Sequence, residues 1–180
     1  MKPSLNTPQK QTDGGAKVKT LNESFMDATA SEARRGLVAL HPTIIQPNMV
    51  IYRFADSNKP ELYFTGKWWV GYSPFEALKQ HAQRRNQTLS AAARHCLAID
   101  FEWSKLDVLH KVILKKPVSA WAGTPLTQRV RKGNFSRPDR RWEPDREVTQ
   151  LFIPGLDQAD PNNPHQKIWQ AVFQSQIRLG

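Results

Sequence analysis

Residues 51–82 read IYRFADSNKPELYFTGKWWVGYSPFEALKQHA and combine two predicted strands with the beginning of a helix. The first strand, residues 49–55, is rich in aromatic and β-branched side chains but carries one arginine, Arg53. After turn material, residues 61–70 alternate well enough for a second strand, which ends in two adjacent tryptophans and a valine. An arginine on a strand, an aromatic strand and a helix start together predict a pocket for an anionic, aromatic ligand.

A helix is expected directly after the aromatic strand. The sequence Ser-Pro-Phe-Glu at residues 73–76 predicts its N-terminus as a capping box with proline at the first helical position. The helix should end near Arg85, with His81 exposed to solvent, and residues 88–95 predict a second short helix. The apolar residues that the first helix should bury are Phe75, Leu78 and Ala82.

The other apolar segments are short and widely spaced. Residues 21–40 are weakly helical, and residues 165–179 fit either a closing helix or a strand. Further predicted elements are strands at residues 96–103, 112–114, 117–121 and 147–154 and a short helix at residues 105–110. Short strands separated by modest helices, without a regular βαβ alternation, predict an α+β fold with a mostly antiparallel or mixed sheet.

The length of 180 residues suits one domain. Residues 1–20 are nearly free of apolar side chains, so we expect a disordered tail there, followed by a single domain over residues 21–180. No apolar run approaches the roughly 18 residues of a membrane span, and the N-terminal lysines precede no apolar segment typical of a signal peptide. The expected location is the cytoplasm, or a target cell reached by a route that needs no signal peptide.

The chain is strongly basic, with 26 Lys and Arg against 16 Asp and Glu and a net charge of +10. Such a charge favours anionic partners, which include nucleic acids, phosphorylated ligands and acidic protein faces. Residues 127–146 concentrate basic side chains and interleave them with aromatic ones. The candidates for target binding in this basic segment are Arg137, Arg140, Arg141 and Trp142.

Several kinds of site are missing from the sequence. The only cysteine, Cys96, excludes an internal disulfide and a multi-cysteine metal site, and it is expected to be buried. The five histidines lack metal-ligand spacing, and neither the glycine-rich dinucleotide fingerprint nor the P-loop is present. A pair among His41, His95 and His110 could serve a nuclease, but the sequence does not bring two of them together.

Arg53 and the two tryptophans each allow a structural and a functional interpretation. Arg53 either forms an ion pair with Asp100 or Glu102, or grips a phosphate or carboxylate of a ligand. Adjacent strand residues face opposite sides, so one of Trp68 and Trp69 can pack in the core while the other faces a cleft. Ordinary packing of both tryptophans is the alternative.

The order of three motifs resembles the arginine–aromatic/serine–glutamate arrangement of ADP-ribosyltransferase toxins and effectors. The motifs are IYRF at residues 51–54, GKWWVGYSP at residues 66–74 and EVTQLFIPG at residues 147–155. The resemblance implies a split sheet with a cleft for NAD between its halves. It also implies NAD as a substrate, with nicotinamide as the leaving group.

The same resemblance implies a role for each matching residue. Arg53 would contact a phosphate or ribose of NAD, and Tyr72 or Trp69 would stack on the nicotinamide. Ser73 would match the family's hydroxyl that helps to hold the glutamate. Glu147 would be the catalytic residue, which hydrogen-bonds a hydroxyl of the nicotinamide ribose and stabilises the oxocarbenium-like centre as nicotinamide leaves.

The sequence departs from the family pattern in two places. Residues 69–73 replace the usual serine–threonine–serine triplet, and Asp145 stands where a second Glu or Gln is common. An alternative register puts Gln150 at the catalytic position, which would leave the protein weakly active or inactive, and Glu102 is a third candidate. Glu147 could otherwise be a surface charge that pairs with a neighbouring arginine.

The expected function is an NAD-dependent ADP-ribosyltransferase that acts as a bacterial toxin or effector on a macromolecular target, protein or nucleic acid. A cognate inhibitor is a further expected partner. Two alternatives stay open from the residues alone. A non-catalytic nucleic-acid-binding module would use residues 127–146 with steep salt dependence, and a histidine-dependent ribonuclease would likewise ignore NAD.

Overall fold

The described part of the chain in the computed structural model comprises residues 18–132, 135–142 and 148–179. Two short 3-10 helices, Glu23–Phe25 and Pro60–Leu62, lie within it. Its other elements are α1 (Met26–Arg34), β1 (Leu37–Ile45), β2 (Val50–Ala55), β3 (Trp68–Gly71), α2 (Tyr72–Arg84), α3 (Leu89–Cys96), β4 (Val108–Leu114), β5 (Val118–Pro125), β6 (Gln128–Lys132), β7 (Phe135–Trp142), β8 (Gln150–Phe152), β9 (Ala159–Asp160), β10 (Asn163–Lys167), α4 (Ile168–Val172) and β11 (Phe173–Leu179).

Seven strands form one sheet in the order β1-β5-β8-β3-β2-β4-β11. Every neighbouring pair in that sheet is antiparallel. Strands β6 and β7 form a separate hairpin, and β9 pairs with β10. The predicted α+β class with a mostly antiparallel sheet and short helices is therefore confirmed.

The short strand β3 joins two halves of the sheet. Its first two residues, Trp68 and Trp69, pair with β8, whereas its last two, Val70 and Gly71, pair with β2. The half β1-β5-β8 and the half β2-β4-β11 thus contact different segments of the same four-residue strand. The sheet changes partners at this point, between the second and third residues of β3.

The two faces of the sheet carry separate clusters of buried side chains, because successive strand residues point to opposite sides. Ile51 and Trp69 belong to one cluster, together with side chains of β4, β5 and α4. Tyr52 and Val70 belong to the other cluster, which α2 and α3 cover. Arg53 follows Ile51 by two residues, so the two side chains share one face of the sheet, and the Arg53 guanidinium contacts the Trp69 ring there. This face is opposite to α2 and α3.

Helix α2 follows the expected burial pattern but not the expected cap. Gly71, in extended conformation, is the residue before the helix, and no side chain caps it. The capping box at Ser73 is therefore wrong, because the residue before the helix is Gly71, two residues earlier, and Ser73 already lies in the first turn. The predicted buried residues are confirmed, and His81, expected on the surface, is buried beside them.

The predicted strand at residues 96–103 is wrong. Cys96 is the last residue of α3, as buried as expected, and Ala98 follows in the left-handed region at φ 51°. Such a residue ends a helix by closing hydrogen bonds back to its last turn, here from the Ile99 N–H to the Arg94 carbonyl at 3.0 Å. The short helix expected at residues 105–110 is also absent, since β4 occupies that part of the sequence.

The ends of the domain combine helix and strand where the sequence indicated one or the other. Residues 21–40 contain α1 and the start of β1, and β1 continues through Pro42. Proline fits there because β1 is the edge strand and pairs only with β5 among the described strands. Residues 165–179 contain both the helix α4 and the strand β11. Most of the expected tail, residues 1–20, lies outside the described residues.

Two buried polar side chains tie the N-terminal turn to the sheet. The Asn22 amide nitrogen donates to the carbonyls of Ser119 at 2.8 Å and Pro154 at 3.0 Å, and its oxygen accepts the Ser119 N–H at 2.9 Å. The hydroxyls of Thr20 and Ser119 are 2.6 Å apart. Thr20, placed in the tail by the sequence, is therefore part of the folded domain.

We expect Asn22→Ala to lower the free energy of unfolding by about 3 kcal/mol, because it leaves a buried N–H and two buried carbonyls without their partner. Chemical denaturation measures this loss. Asn163→Ala is the matched control, since Asn163 is exposed on β10, and its effect should stay below about 0.5 kcal/mol. Equal losses in the two variants would contradict this role of Asn22.

Candidate active site

Arg53 lies on β2 beside the point where β3 changes partners. Its Nε donates to the Leu62 carbonyl at 3.1 Å, and its Nη1 donates to the Trp68 carbonyl at 2.8 Å. The guanidinium carbon is 5.8 Å from the centre of the Trp69 ring. These contacts fix the guanidinium against the segment that connects β2 to β3.

The charge of Arg53 is not neutralised by the acids that the sequence suggested. No ion pair joins Arg53 to Asp100 or Glu102; Asp100 instead acts electrostatically on Arg94. Burial lowers the pKa of Arg53 to about 10, so the side chain stays cationic at neutral pH. A guanidinium has five N–H donors, and the two hydrogen bonds to described residues use two of them.

Gly66 makes room for the guanidinium. A Cβ atom at this position would overlap Nη2, Cζ and Nη1 of Arg53. The Gly66 carbonyl also accepts the indole N–H of Trp69 at 2.7 Å. The glycine of the GKWW sequence is therefore required for the close approach of the backbone to Arg53.

The two tryptophans face opposite sides of β3, and the ring of Trp69 is not accessible to a ligand. Trp69 is fully buried and packs edge-on against Phe173 at 5.3 Å between ring centres. Trp68 is partly buried and packs against Phe152 at 5.0 Å. The expectation that Trp69 stacks on nicotinamide is therefore wrong, because its ring is enclosed by the core on this face of the sheet.

Tyr72 and Ser73 lie at the junction of β3 and α2. Both side chains are exposed, and Tyr72 retains 52% of its accessible surface. Two residues further on, Phe75 anchors the helix by stacking on Tyr52 with ring centres 3.7 Å apart. Of the two aromatic candidates for stacking, Tyr72 is the one with an accessible ring.

Glu147 lies outside the described residues, but the residues that directly follow it are described. Val148 is buried in the cluster with Val70 and Phe75, at the end of β3 and the start of α2. Leu151 packs against the cluster on the Arg53 face. The strand that follows Glu147 is therefore the direct neighbour of β3.

The two other candidates for the catalytic position have different surroundings. Gln150 is 5% exposed at the start of β8, where it pairs with Gly123 of β5. Glu102 is exposed in the turn after α3, where its N–H donates to the Asp100 carboxylate at 3.2 Å. Glu102 thus lies in a turn after α3 rather than on the strand that the sequence suggested.

The candidate target-binding residues are on the hairpin of β6 and β7. Arg137, Arg140, Arg141 and Trp142 belong to β7, whose backbone is described while their side chains are not. β7 lies against α3. The hairpin therefore adjoins the helical side of the sheet.

The sequence missed a cavity at the ends of α2 and α3. It has a volume of about 530 Å³. Its described lining residues are His81, Arg85, Gln87, Thr88, Ser90, Ala91, Arg94, His95, Phe101 and Lys105. The rings of His81 and His95 stack there with centres 5.7 Å apart, whereas His41 is on β1 and His110 is on β4. The burial of His81 could have been predicted from its position three residues after Leu78, on the apolar face of α2.

Arg94 closes one wall of this cavity. Its guanidinium donates to the carbonyls of Ile99 at 3.2 Å, Ser104 at 2.9 Å and Lys105 at 3.0 Å. It also lies 4.0 Å from the centre of the Phe101 ring. Burial lowers the pKa of Arg94, and the nearby Asp100 carboxylate partly offsets that effect.

The described residues contain no group of three or more His, Cys, Asp and Glu side chains that could hold a metal ion. Over the same part of the chain, no helix combines the length and apolar character that crossing a membrane requires. No family model, curated protein or solved structure matches the chain.

Proposed function

We propose that the protein is an NAD-dependent ADP-ribosyltransferase with Arg53, Tyr72, Ser73 and Glu147 at its site. One observation carries the proposal: Arg53 is a fixed, cationic guanidinium without a carboxylate partner among the described residues, at the junction of the two half-sheets. A partly buried cation with spare donors matches the pyrophosphate of a dinucleotide. By the resemblance, Tyr72 would stack on the nicotinamide; its ring is exposed in the first turn of α2, the helix that covers the face of the sheet opposite to Arg53.

The order of the strands supports this grouping. Arg53 is on β2, Tyr72 follows β3, and Glu147 precedes β8, and these three strands are consecutive in the sheet. Leu151 of β8 pairs with Trp69 of β3 and packs on the Arg53 face. A sheet that changes partners at β3 is also consistent with a split sheet and a cleft between its halves.

The proposed reaction breaks the bond between the nicotinamide nitrogen and the anomeric carbon of its ribose. Nicotinamide leaves neutral with the bonding electrons, and positive charge develops on the ribose. The Glu147 carboxylate would stabilise that charge and hold the ribose hydroxyl. A nucleophile of the target then bonds to the anomeric carbon and gives up its proton to solvent.

The proposal extends to a toxin or effector that modifies a macromolecule. The motifs resemble those of toxins and effectors, and a net charge of +10 favours an anionic target. A cognate inhibitor in the producing cell would follow from that role.

We expect NAD to stabilise the protein. At about 100 times its Kd, NAD should add about 2.7 kcal/mol to the free energy of unfolding. For a domain of this size the melting temperature should then rise by roughly 5–10 °C. AMP, which lacks the nicotinamide riboside, should give a smaller rise at equal concentration.

The variant Arg53→Lys tests the role of the guanidinium, because a lysine cannot bind a phosphate in the bidentate geometry of arginine. Its NAD-induced rise should fall to less than half that of the wild type. The comparison within each variant removes any change in basal stability. Arg84→Lys, on the exposed surface of α2, should keep the full rise. An unchanged rise in Arg53→Lys would argue against a dinucleotide at Arg53.

A further inference from the structure

We propose that the cavity at the ends of α2 and α3, together with the adjoining hairpin of β6 and β7, binds the backbone of a single-stranded nucleic acid. The cavity would hold a phosphate, and the hairpin would extend the contact along the strand. As an assignment of the acceptor for ADP-ribose, this inference rests on the proposed function. As a binding site, it stands on the geometry of the cavity.

The charge of the lining favours a phosphate. Arg85, Arg94 and Lys105 line the cavity with His81 and His95, and none of the described lining residues is acidic. The buried carboxylate of Asp100, which is not part of the lining, acts electrostatically on Arg94. A concave site lined by positive charges focuses the electrostatic field and raises the local concentration of anions.

Of the three cationic side chains that line the cavity, one is held by the protein and two are available to a ligand. Arg94 spends three hydrogen bonds on backbone carbonyls, so it supplies charge and shapes the wall. Arg85 and Lys105 are exposed, and neither forms an ion pair with a described residue. Their side chains are free to contact phosphate oxygens by charge-assisted hydrogen bonds.

Neutral groups complete the site. The Nε2 atom of Gln87 is a buried donor that makes no hydrogen bond within the described structure. An unsatisfied buried donor costs free energy, and an acceptor atom of a ligand would remove that cost. Thr88 and Ser90 also line the cavity, but their hydroxyls already bond the Ala91 N–H and the Leu106 carbonyl. Gln87 therefore adds a neutral donor to the charged lining.

Aromatic side chains next to the cavity favour a nucleic acid over a free phosphate. Phe101 lines the cavity and is 45% exposed, and Trp103 in the same turn is 51% exposed. Exposed aromatic rings beside cations are the combination that stacks unpaired bases while the backbone is held. Paired bases of a duplex would not present their faces to these rings, so the strand is single.

The hairpin favours a strand over a mononucleotide. β7 lies against α3, and its sequence FSRPDRRW supplies Arg137, Arg140 and Arg141 in eight residues. By sequence alone, these three arginines carry more positive charge than a single phosphate would neutralise. The contact should therefore neutralise several phosphates, which makes affinity depend steeply on salt.

The test measures anisotropy of a labelled oligonucleotide of about 12 nucleotides, as single-stranded RNA and as DNA, at about 50 and 200 mM salt without NAD. The pair Arg85→Ala and Lys105→Ala should weaken binding roughly 10-fold and lower the salt slope by about 1–2. The matched control is Arg34→Ala with Lys116→Ala, which removes the same charge from exposed positions outside the cavity. This control should weaken binding less than about 3-fold.

Equal weakening by both pairs would overturn the site, because general charge would then explain the binding. If inorganic phosphate or AMP binds as tightly as the oligonucleotide, the proposed nucleic-acid ligand is wrong and the cavity is a site for small anions. A labelled duplex that binds more tightly than either single strand would overturn the role of the aromatic rings. Because NAD is absent, a failure of this test does not affect the proposed cleavage of NAD, and a failure to release nicotinamide from NAD would not affect this binding site.

Discussion

Glu147→Gln is expected to lower the rate of nicotinamide release from NAD by at least about 100-fold, with an unchanged melting temperature. The amide has the shape of the carboxylate but lacks the charge that would stabilise an oxocarbenium-like ribose. Loss of one preorganised electrostatic group typically costs about 100-fold to 1,000-fold in kcat. Chromatographic measurement of nicotinamide at saturating NAD gives the rate directly.

Three further variants separate Glu147 from its alternatives. Glu61→Gln makes the same chemical change at an exposed residue of the 3-10 helix Pro60–Leu62 and should keep the wild-type rate. Glu102→Gln should do the same, and Gln150→Glu should not raise the rate, because Gln150 is buried between β5 and β3. Loss of release in Glu102→Gln with retention in Glu147→Gln would transfer the catalytic role to Glu102.

Gly66→Ala is expected to lower the free energy of unfolding by about 3 kcal/mol, near the upper end for overpacked sites. The new Cβ would overlap the Arg53 guanidinium, which cannot retreat without losing its hydrogen bonds to Leu62 and Trp68. The same change should abolish the NAD-induced rise in melting temperature, since it displaces the group proposed to bind the pyrophosphate. Denaturation with and without NAD measures both effects.

Gly71→Ala is the matched control for this prediction. A Cβ at Gly71 would find only the Pro74 Cδ nearby, at an ordinary contact distance of 3.7 Å. The extended backbone of Gly71 also accepts alanine. Its effect on the free energy of unfolding should stay below about 1 kcal/mol. Equal stability of the two variants would contradict the close packing of Gly66 on Arg53.

The strand that carries Arg53 and the buried face of α2 could be predicted because their signals are local. An arginine within an apolar strand and apolar residues three and four positions apart each indicate one conformation. The apolar run at residues 96–103 gave no such distinction, since a buried helix end and a buried strand have the same composition. The deciding feature, the left-handed Ala98 at the end of α3, leaves no mark in the sequence.

The surroundings of Arg53 could not be predicted in the same way. Its partners are the carbonyls of Leu62 and Trp68, and any residue could supply a carbonyl. The burial of Trp69 depends on contacts with β11, more than a hundred residues later in the chain. The His81–His95 contact likewise depends on how α2 and α3 pack together, which no spacing within either helix reveals.

The most direct test of the transferase proposal is nicotinamide release from NAD by the purified protein, with and without a single-stranded nucleic acid as acceptor. We expect release in proportion to protein concentration, with an equal amount of ADP-ribose free or attached to the acceptor. We also expect loss of that release in Glu147→Gln. Release no faster than in buffer under both conditions, together with no NAD-induced rise in melting temperature, would show that the protein is not an NAD-dependent transferase.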